Sequence, residues 1–297
     1  MNKEKIAILG GGIAGLTVAY RLIKKGFTVK IFEAQDNLGG LARTAMIQGE
    51  ALEIYYHHFF SSDDYLFNLC KELGIYDKVL FLKAKMGYLS SGEIFDFGTP
   101  QSLLTFKPLS LTDKIDFARS VLKMKREKSL DAMDKVSAVE WLTEHAGERV
   151  FNVLWKPLLI QKFGIAYLDV PMAWIWRKVH IREPSKKNIF SGEKLAYLDG
   201  SLRILIDKLQ EIVISSGAEL ALSTKIKSIN YNIKPGLQII TKKSNERFDA
   251  VVSTVSPQIL DKLVTFPGKF NTILRNYKQL SAICIMLVLD RQLTDYY

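Results

Sequence analysis

The start of the chain alternates between fully apolar and amphipathic segments. Residues 5–9, KIAIL, form a short apolar run that is typical of a buried parallel strand. From Ala14 to Lys25 the apolar residues recur at helical spacing, and Gly26 follows as a residue that commonly ends helices. Residues 27–33, FTVKIFE, predict a second strand that ends in Glu33. The pattern therefore predicts a β-α-β unit.

Helical and strand patterns also alternate along the rest of the chain, which predicts an α/β fold class. The predicted segments are a helix over 61–74, strands over 79–97 with a turn at 90–92, mostly helical structure from 99 to about 182, a helix over 200–217, and strands over 218–232, 237–243 and 246–255. The apolar run AICIMLVLD at 282–290 has the length and composition of a further strand.

The loop between the first strand and the first helix carries a phosphate-binding pattern. Gly10, Gly12 and Gly15 form G-x-G-x-x-G, which allows a tight turn, a close backbone approach to a pyrophosphate and close helix–strand packing. The helix N-terminus offers N–H groups and a dipole that favour an anion. Glu33 is placed to accept from ribose hydroxyls, and its charge disfavours the 2′-phosphate of NADP. The sequence therefore predicts a dinucleotide site.

Composition limits the protein class. The 297 residues, 48% of them hydrophobic, are enough for about two domains with cores of their own. Two cysteines cannot form a disulfide framework, which favours a reducing, cytoplasmic compartment. Four histidines without cysteine partners argue against a structural zinc site, and no metal site is predicted. No apolar run has the roughly 20 residues that span a bilayer.

The net charge of +10 admits two interpretations. Scattered lysines are typical of a solvated surface. The sequence has no basic cluster with interleaved aromatic residues, which argues against nucleic-acid binding. Residues 111–129, LTDKIDFARSVLKMKREKS, predict a basic amphipathic helix, and such helices either cover a core or lie on anionic lipid. Its predicted apolar face comprises Ile115, Ala118, Val121 and Leu122. Peripheral membrane contact therefore remains open.

Residues 6–44 contain a second glycine pair, Gly39 and Gly40, shortly after Glu33. This stretch resembles the N-terminal FAD-binding region of the flavin amine oxidase, phytoene desaturase and protoporphyrinogen oxidase superfamily. Residues 197–229 and the stretch DAVVSTVSP at 249–257 resemble later parts of the same FAD domain. The resemblance implies a discontinuous Rossmann-like FAD-binding domain with an inserted, largely helical substrate domain. The implied segments are 1–84 and 195–265 for FAD, 85–194 for the insert, and 266–297 returning to the substrate domain.

The resemblance also implies roles for individual residues. Those implied to contact FAD are Gly10, Gly12, Ile13, Ala14 and Gly15 at the pyrophosphate, Glu33 at the adenosine ribose, Gly40, Leu41 and Ala42 close to the cofactor, Arg43 at a phosphate, Ile226 at the adenine, and His58 near the flavin. Two positions depart from the usual pattern, since Leu41 stands where many members have arginine and Tyr55 where glycine is common. The alternative for His57 and His58 is that both are packed strand residues. Neither is expected to bind a metal.

The resemblance implies a FAD-dependent oxidoreductase that removes a hydride from a C–N or C–C bond of a small molecule. The sequence identifies no catalytic base or nucleophile. The tryptophans of the insert are expected either to line a tunnel for a lipophilic substrate or to be ordinary core residues; they are Trp141, Trp155, Trp174 and Trp176. The alternative functions are a flavin-dependent sugar-nucleotide mutase resembling UDP-galactopyranose mutase and a non-catalytic flavin-binding module.

The glycine-rich C-terminal FAD segment of the superfamily has no counterpart in this chain. The resemblance therefore implies that residues 1–297 supply the adenosine and pyrophosphate contacts but leave the isoalloxazine end open. Weak FAD binding, poor turnover and a tendency to associate through an exposed apolar edge are the expected consequences.

Overall fold

A computed structural model describes residues 4–182, 194–231 and 236–296. The strands are β1 (Lys5–Leu9), β2 (Thr28–Phe32), β3 (Thr44–Ile47), β4 (Glu50–Glu53), β5 (Phe59–Phe60), β6 (Val79–Lys83), β7 (Met86–Ser90), β8 (Glu93–Phe97), β9 (Lys194–Leu198), β10 (Glu219–Ala221), β11 (Ile226–Asn230), β12 (Leu237–Thr241), β13 (Asn245–Phe248) and β14 (Ala250–Ser253). The helices are α1 (Ile13–Lys24), α2 (Asp64–Glu72), α3 (Pro100–Thr105), α4 (Leu111–Arg126), α5 (Leu130–Asp134), α6 (Ala138–Ala146), α7 (Glu148–Val150), α8 (Lys156–Phe163), α9 (Met172–Arg182), α10 (Arg203–Ser215), α11 (Pro257–Leu263) and α12 (Phe270–Asn276).

The chain divides into two compact units, and each unit is assembled from separate stretches. The first unit contains the residues up to His57, Phe67–Val79 and Leu198–Met286. The second contains His58–Leu66, Leu80–Tyr197 and the residues from Leu287 onward. These bounds differ in detail from the segments predicted above, and the cofactor and substrate roles of those segments stay predictions.

A four-stranded parallel sheet forms the centre of the first unit, in the order β10-β2-β1-β14. The apolar run that predicted β1 is buried because strands flank it on both sides: Ile8 lies opposite Ile31 on β2 and Val252 on β14. Helix α1 connects β1 to β2, so the predicted β-α-β unit is confirmed. The unit also holds an antiparallel sheet, β11-β12-β13, and the hairpin β3–β4.

The second unit contains helices α3–α9, the hairpin β7–β8 and the small sheet β5-β9-β6. The predicted turn at 90–92 joins β7 and β8, whose Ser90 and Glu93 lie opposite each other. All four tryptophans pack in its hydrophobic clusters: Trp141 is buried, and Trp155, Trp174 and Trp176 are half-buried. Their packing agrees with the expectation of ordinary core residues.

The predicted strand at 282–290 is wrong. No residue of this run belongs to a strand, and its apolar side chains are exposed, with Ile283 at 93% and Leu287 at 76%. Strand composition is a local property, whereas a strand also needs a partner for its N–H and C=O groups. No strand pairs with this run within the described residues. Asn232, the end of another predicted strand, lies outside the described residues.

Two lysines and two glutamates link the parallel sheet to the antiparallel sheet in the first unit. The Lys30 Nζ lies 2.8 Å from the Glu246 Oε2 and 3.0 Å from the Glu219 Oε2, and the Lys5 Nζ lies 3.7 Å from the Glu246 Oε2. Burial raises the pKa of Glu246, but hydrogen bonds from Lys30 and Ser244 outweigh burial and hold that pKa below its ordinary value of 4.5. The charged pair is therefore favoured in the folded state.

Replacing Glu246 with glutamine should make stability less sensitive to acid. Because the folded-state pKa of Glu246 is lowered, its contribution is fully present above pH 4.5 and is lost as the pH falls through the lowered value. The free energy of unfolding of Glu246→Gln should be lower than that of the parent by about 1 kcal/mol at neutral pH. Urea titrations across the acid range measure this difference. Glu50→Gln, at an exposed carboxylate without an ion pair among the described residues, is the control.

Helix α1 approaches the end of β1 closely, and Gly15 is required for this approach. A Cβ atom at Gly15 would lie 1.9 Å from the backbone oxygen of Gly10. Gly10 itself has a φ of +99°, and a Cβ there would lie 2.8 Å from the Thr254 Oγ1. Because a backbone oxygen cannot rotate away as a side chain can, even alanine at Gly15 forces the helix off the strand.

Gly15→Ala should therefore lower the free energy of unfolding by about 3 kcal/mol or more. Gly26→Ala is the matched control, since a Cβ there meets nothing within 4 Å but the φ is +89°. The control should lose only the roughly 1–2 kcal/mol of left-handed backbone strain. Chemical denaturation of both variants measures the difference, and equal losses would show that the contact relaxes at little cost.

Candidate cofactor site

The predicted phosphate loop lies at the carboxyl ends of the parallel strands. The Gly10 N–H donates to the Phe32 carbonyl at 2.9 Å, which ties the loop to the end of β2. Gly12 occupies the position before the first helical residue, Ile13, and its carbonyl accepts from the Leu16 N–H at 2.9 Å. The first turn of α1 has no acidic residue. Its N–H groups, which have no intrahelical partners, therefore suit an anion.

The second glycine pair packs directly on this loop. The Gly39 N–H donates to the Gly11 carbonyl at 2.9 Å, and Gly12 and Gly39 form a parallel bridge. Gly40 has a φ of +57°, and a Cβ there would lie 3.0 Å from the Gly12 Cα. The two glycine segments, which are separated by more than 20 residues in the chain, thus form one surface lined by backbone atoms. A flat or extended ligand group can approach such a surface closely.

Glu33 has a structural contact that the sequence did not predict. Its Oε2 accepts from the Gly11 N–H at 2.7 Å, and its Oε1 accepts from the Gln35 N–H at 2.9 Å. An ionised carboxylate has about four acceptor positions, so two remain for ribose hydroxyls. Glu33 is half-buried at the end of β2. The side chain therefore shapes the loop, and its predicted ribose contact stays a prediction.

Backbone hydrogen bonds connect Glu33 to the segment that precedes Ile226. The Glu33 N–H donates to the Ala221 carbonyl at 3.0 Å, and its carbonyl accepts from the Thr224 N–H at 2.9 Å. Ile226 begins β11 and packs half-buried in a cluster that also contains Phe32. The structure therefore brings the predicted adenine and ribose residues to the same edge of the sheet.

A short 3-10 turn, Gly40–Ala42, follows the second glycine, and its residues have different environments. Leu41 is 70% exposed, whereas Ala42 is buried. The Arg43 Nε is buried and has no hydrogen-bond partner within the described residues. Buried donors are normally paired, and a guanidinium carries only donors. Arg43 therefore fits a phosphate or another acceptor that a bound ligand would supply.

Two further side chains, those of Thr254 and Glu53, join segments of the first unit through hydrogen bonds, and no role for either is predicted above. The Thr254 Oγ1 donates to the Leu9 carbonyl at 2.8 Å, which fastens the end of β14 to the loop. Glu53 accepts from the Leu202 N–H at 2.8 Å, one residue before α10. The Ser253 Oγ is buried without a partner within the described residues. Thr254 lies in the stretch 249–257 that resembles the FAD domain, but no local pattern marks its hydroxyl or the Glu53 carboxylate for these contacts.

The two histidines do not lie in a strand, because β5 begins at Phe59. The alternative that both are packed strand residues is therefore wrong. The His57 Nδ1, in the first unit, is buried without a hydrogen-bond partner in the described part of the chain. His58, in the second unit, packs edge-to-face on Phe60 with ring centroids 5.2 Å apart. Its place near a flavin stays a prediction. Within the described residues, no group of His, Cys, Asp and Glu side chains could hold a metal.

The residues of the first unit fit an anionic dinucleotide. The backbone surface of the two glycine segments, the open helix N-terminus and the unpaired Arg43 Nε meet at one sheet edge. The helix N-terminus and the Arg43 Nε supply donors to a phosphate, the glycine segments allow a close backbone approach, and Glu33 supplies acceptors to hydroxyls. FAD has both kinds of group.

Similar proteins support the same conclusion. The 15-cis-phytoene desaturase of Arabidopsis thaliana is 26% identical over 324 residues, covering 99% of this chain and 55% of its own. A protein named probable zeta-carotene desaturase from Synechococcus elongatus is 25% identical over 284 residues. The match covers 84% of this chain and 57% of the desaturase. The crystal structure of cyclohexylamine oxidase from Brevibacterium oxydans IH-35A has a TM-score of 0.65 at 16% identity, covering 92% and 63%, which shows a shared fold.

The chain thus spans slightly more than half the length of the two desaturases. The profile of the family described as flavin containing amine oxidoreductase matches residues 13–295, nearly the whole chain. The chain belongs to the flavin-containing amine oxidoreductase family, and its cofactor is FAD.

Proposed function

We propose that the protein is an FAD-dependent oxidoreductase that removes a hydride from a C–C or C–N bond of a lipophilic small molecule. The observation that carries the proposal is the sheet edge in the first unit, where two glycine segments meet and the Arg43 Nε is buried without a partner in the described residues. A structural arginine would pair its Nε internally. A cofactor phosphate is the acceptor that this environment favours.

The proposed contacts combine the geometry of that edge with the roles that the family resemblance implies. Gly12, Ile13, Ala14 and Gly15 hold the pyrophosphate through backbone N–H groups at the N-terminus of α1. Gly10, whose own N–H donates to the Phe32 carbonyl, lies beside the pyrophosphate and provides the tight turn. Glu33 accepts from the adenosine ribose, and Ile226 lies by the adenine. Gly40, Leu41 and Ala42 pass close to the cofactor, Arg43 pairs with a phosphate, and His58 lies near the flavin.

When bound, FAD supplies a two-electron acceptor for hydride. The protein supplies binding, orientation and exclusion of water. No side chain in the described residues is assigned as a general base, and the catalytic residues remain unassigned.

We assign the adenosine and pyrophosphate part of the cofactor to the first unit and the substrate to the second, although residues 266–286 of the predicted substrate segment belong to the first unit. The predicted segments 1–84 and 195–265 would hold FAD, whereas 85–194 and 266–297 would contribute to the substrate domain. The substrate class rests on the names of similar proteins, which include phytoene and zeta-carotene desaturases and a protoporphyrinogen oxidase. The compounds in these names are apolar or largely so. The sugar-nucleotide mutase and the non-catalytic module gain no support from the comparisons.

Purified protein should bind FAD in preference to NAD. The second glycine pair, Gly39 and Gly40, favours the flavin dinucleotide over NAD, in agreement with the family membership, whereas Glu33 suits the adenosine ribose of either dinucleotide. The visible spectrum and the nucleotide released on denaturation measure the ligand. Anaerobic bleaching of the flavin by phytoene, compared with a diamine such as putrescine, then tests the substrate class. Stoichiometric NAD without flavin would reject the cofactor contacts, whereas FAD reduced only by the diamine would reject the lipophilic substrate alone.

Glu33→Ala should weaken FAD binding by about 1.5–3 kcal/mol, because it removes a charged acceptor for ribose hydroxyls. Because Glu33 also accepts from the Gly11 N–H, the free energy of unfolding must be measured beside the dissociation constant. Asp36→Asn, at an exposed acid three residues later, is the control and should bind FAD as the parent does. An unchanged dissociation constant in Glu33→Ala would place the ribose elsewhere.

A further inference from the structure

Helix α4 has an apolar stripe on its solvent-facing side. Leu111, Ile115, Ala118 and Leu122 are spaced by four, three and four residues, which puts them on one face of a helix. Leu111 is 69% exposed, Ile115 43% and Leu122 53%, and Ala118 is also exposed. We call these four residues the outer stripe.

The opposite side of the same helix already packs on the core of the second unit. Met124 and Ser120 are buried there, and Phe117 stacks at a tilt on Trp155 with ring centroids 6.0 Å apart. Val121, which the sequence analysis placed on the same face as Ile115, packs half-buried against the core. The predicted single apolar face is therefore wrong in this respect. The helix has two apolar faces, and the core explains only one of them.

Basic residues border the outer stripe on both sides. With 3.6 residues per turn, Arg119 and Arg126 fall on one border, and Lys114 and Lys125 fall on the other. Residues 107–128 contain seven lysines and arginines but three acidic residues. One of those acids, Asp113, is occupied by the Ser110 cap and by Arg149 at 3.3 Å. The Arg119 Nη1 lies 3.5 Å from the Asp116 Oδ1, one turn earlier, and the Arg119 side chain is still 75% exposed. The Lys114 Nζ donates to the Leu104 carbonyl at 2.7 Å.

The borders decide what kind of partner fits the stripe. A protein surface that covered the outer stripe would also desolvate the adjoining cations, which is costly unless each is paired. At a lipid interface the apolar side chains enter the acyl boundary while lysine and arginine reach the headgroup phosphates. No helix in the described part of the chain is long and apolar enough to cross a membrane. The geometry thus suits a helix that lies in the plane of the interface.

We infer that the outer stripe of α4 docks the protein on the surface of a bilayer that contains anionic lipid. The contact is independent of the cofactor edge in the first unit, so it stands or falls separately from the proposed function. Anionic headgroups attract the four bordering cations over about a Debye length, and the apolar side chains then hold the helix at the surface.

Co-sedimentation of the full chain with phosphatidylcholine vesicles, with and without phosphatidylserine, tests the inference. Binding should require phosphatidylserine and should weaken as salt rises. Ile115→Ser with Leu122→Ser should weaken binding roughly a hundredfold, because two inserted side chains are lost. Arg119→Gln with Arg126→Gln should weaken it roughly fivefold for each arginine and should reduce its salt dependence.

The matched control variants carry the same kinds of substitution at exposed positions of the first unit, away from the outer stripe. Ile214→Ser with Ile259→Ser removes two aliphatic side chains, 46% and 49% exposed, from helices of the first unit. Lys242→Gln with Lys243→Gln removes two exposed cations from the same unit. Both control proteins should bind vesicles as the parent does, apart from the small general effect of net charge. Circular dichroism and thermal melting should be unchanged in the stripe variants, since the substituted side chains are exposed.

Three outcomes would overturn the inference. The first is absence of vesicle binding by the parent chain. The second is binding that is indifferent to phosphatidylserine and salt, or that the stripe and control variants share equally. The third is self-association without lipid that the stripe variants abolish, because a second copy of the chain would then be the occupant. Loss of helicity in the serine variants would leave the arginine variants as the deciding comparison.

Discussion

Close backbone contact at the end of β1 is the constraint on which the first unit depends. Helix α1 reaches the strand only because Gly15 places no side chain against the Gly10 carbonyl. The same absence of side chains lets Gly39 pair with Gly11 and Gly12. If α1 stood farther from the sheet, its N-terminus would no longer open at the edge where the other glycine segment arrives. Fold and candidate site therefore share one steric requirement.

Two charged side chains at this edge differ in their hydrogen bonding: Glu33 has partners within the protein, whereas the Arg43 Nε has none in the described residues. The Glu33 carboxylate accepts hydrogen bonds from the N–H groups of Gly11 and Gln35, and these bonds fix the conformation of the loop. The Arg43 Nε, by contrast, is buried without a partner in the described residues. The free acceptor positions of Glu33 suit the hydroxyl groups of a ligand, and the Arg43 Nε suits an anionic acceptor on the same ligand. Family membership identifies that ligand as FAD.

The second unit depends on a different interaction, which is the packing of helices around an aromatic core. Its tryptophans pack in the hydrophobic clusters, and α4 contributes Phe117 and Met124 to that packing. The same helix presents leucine and isoleucine to solvent between rows of cations. A helix that only covered a core would be polar on its outer side. The double character of α4 is the basis of the proposed contact with a lipid surface.

The sequence by itself determined the local elements β1, α1 and β2 and the hairpin turn at 90–92, and it predicted the glycines and the acid of a dinucleotide site. These follow from side-chain periodicity and from residue types whose backbone preferences act over a few residues. Only the tertiary structure decided which distant groups meet. Thr254 donates to Leu9 across 245 positions, Val121 packs inward while Ile115 is exposed to solvent, and 282–290 forms no strand although its composition favours one. Each of these outcomes depends on a partner that is far away in the chain, and local pattern carries no information about such partners.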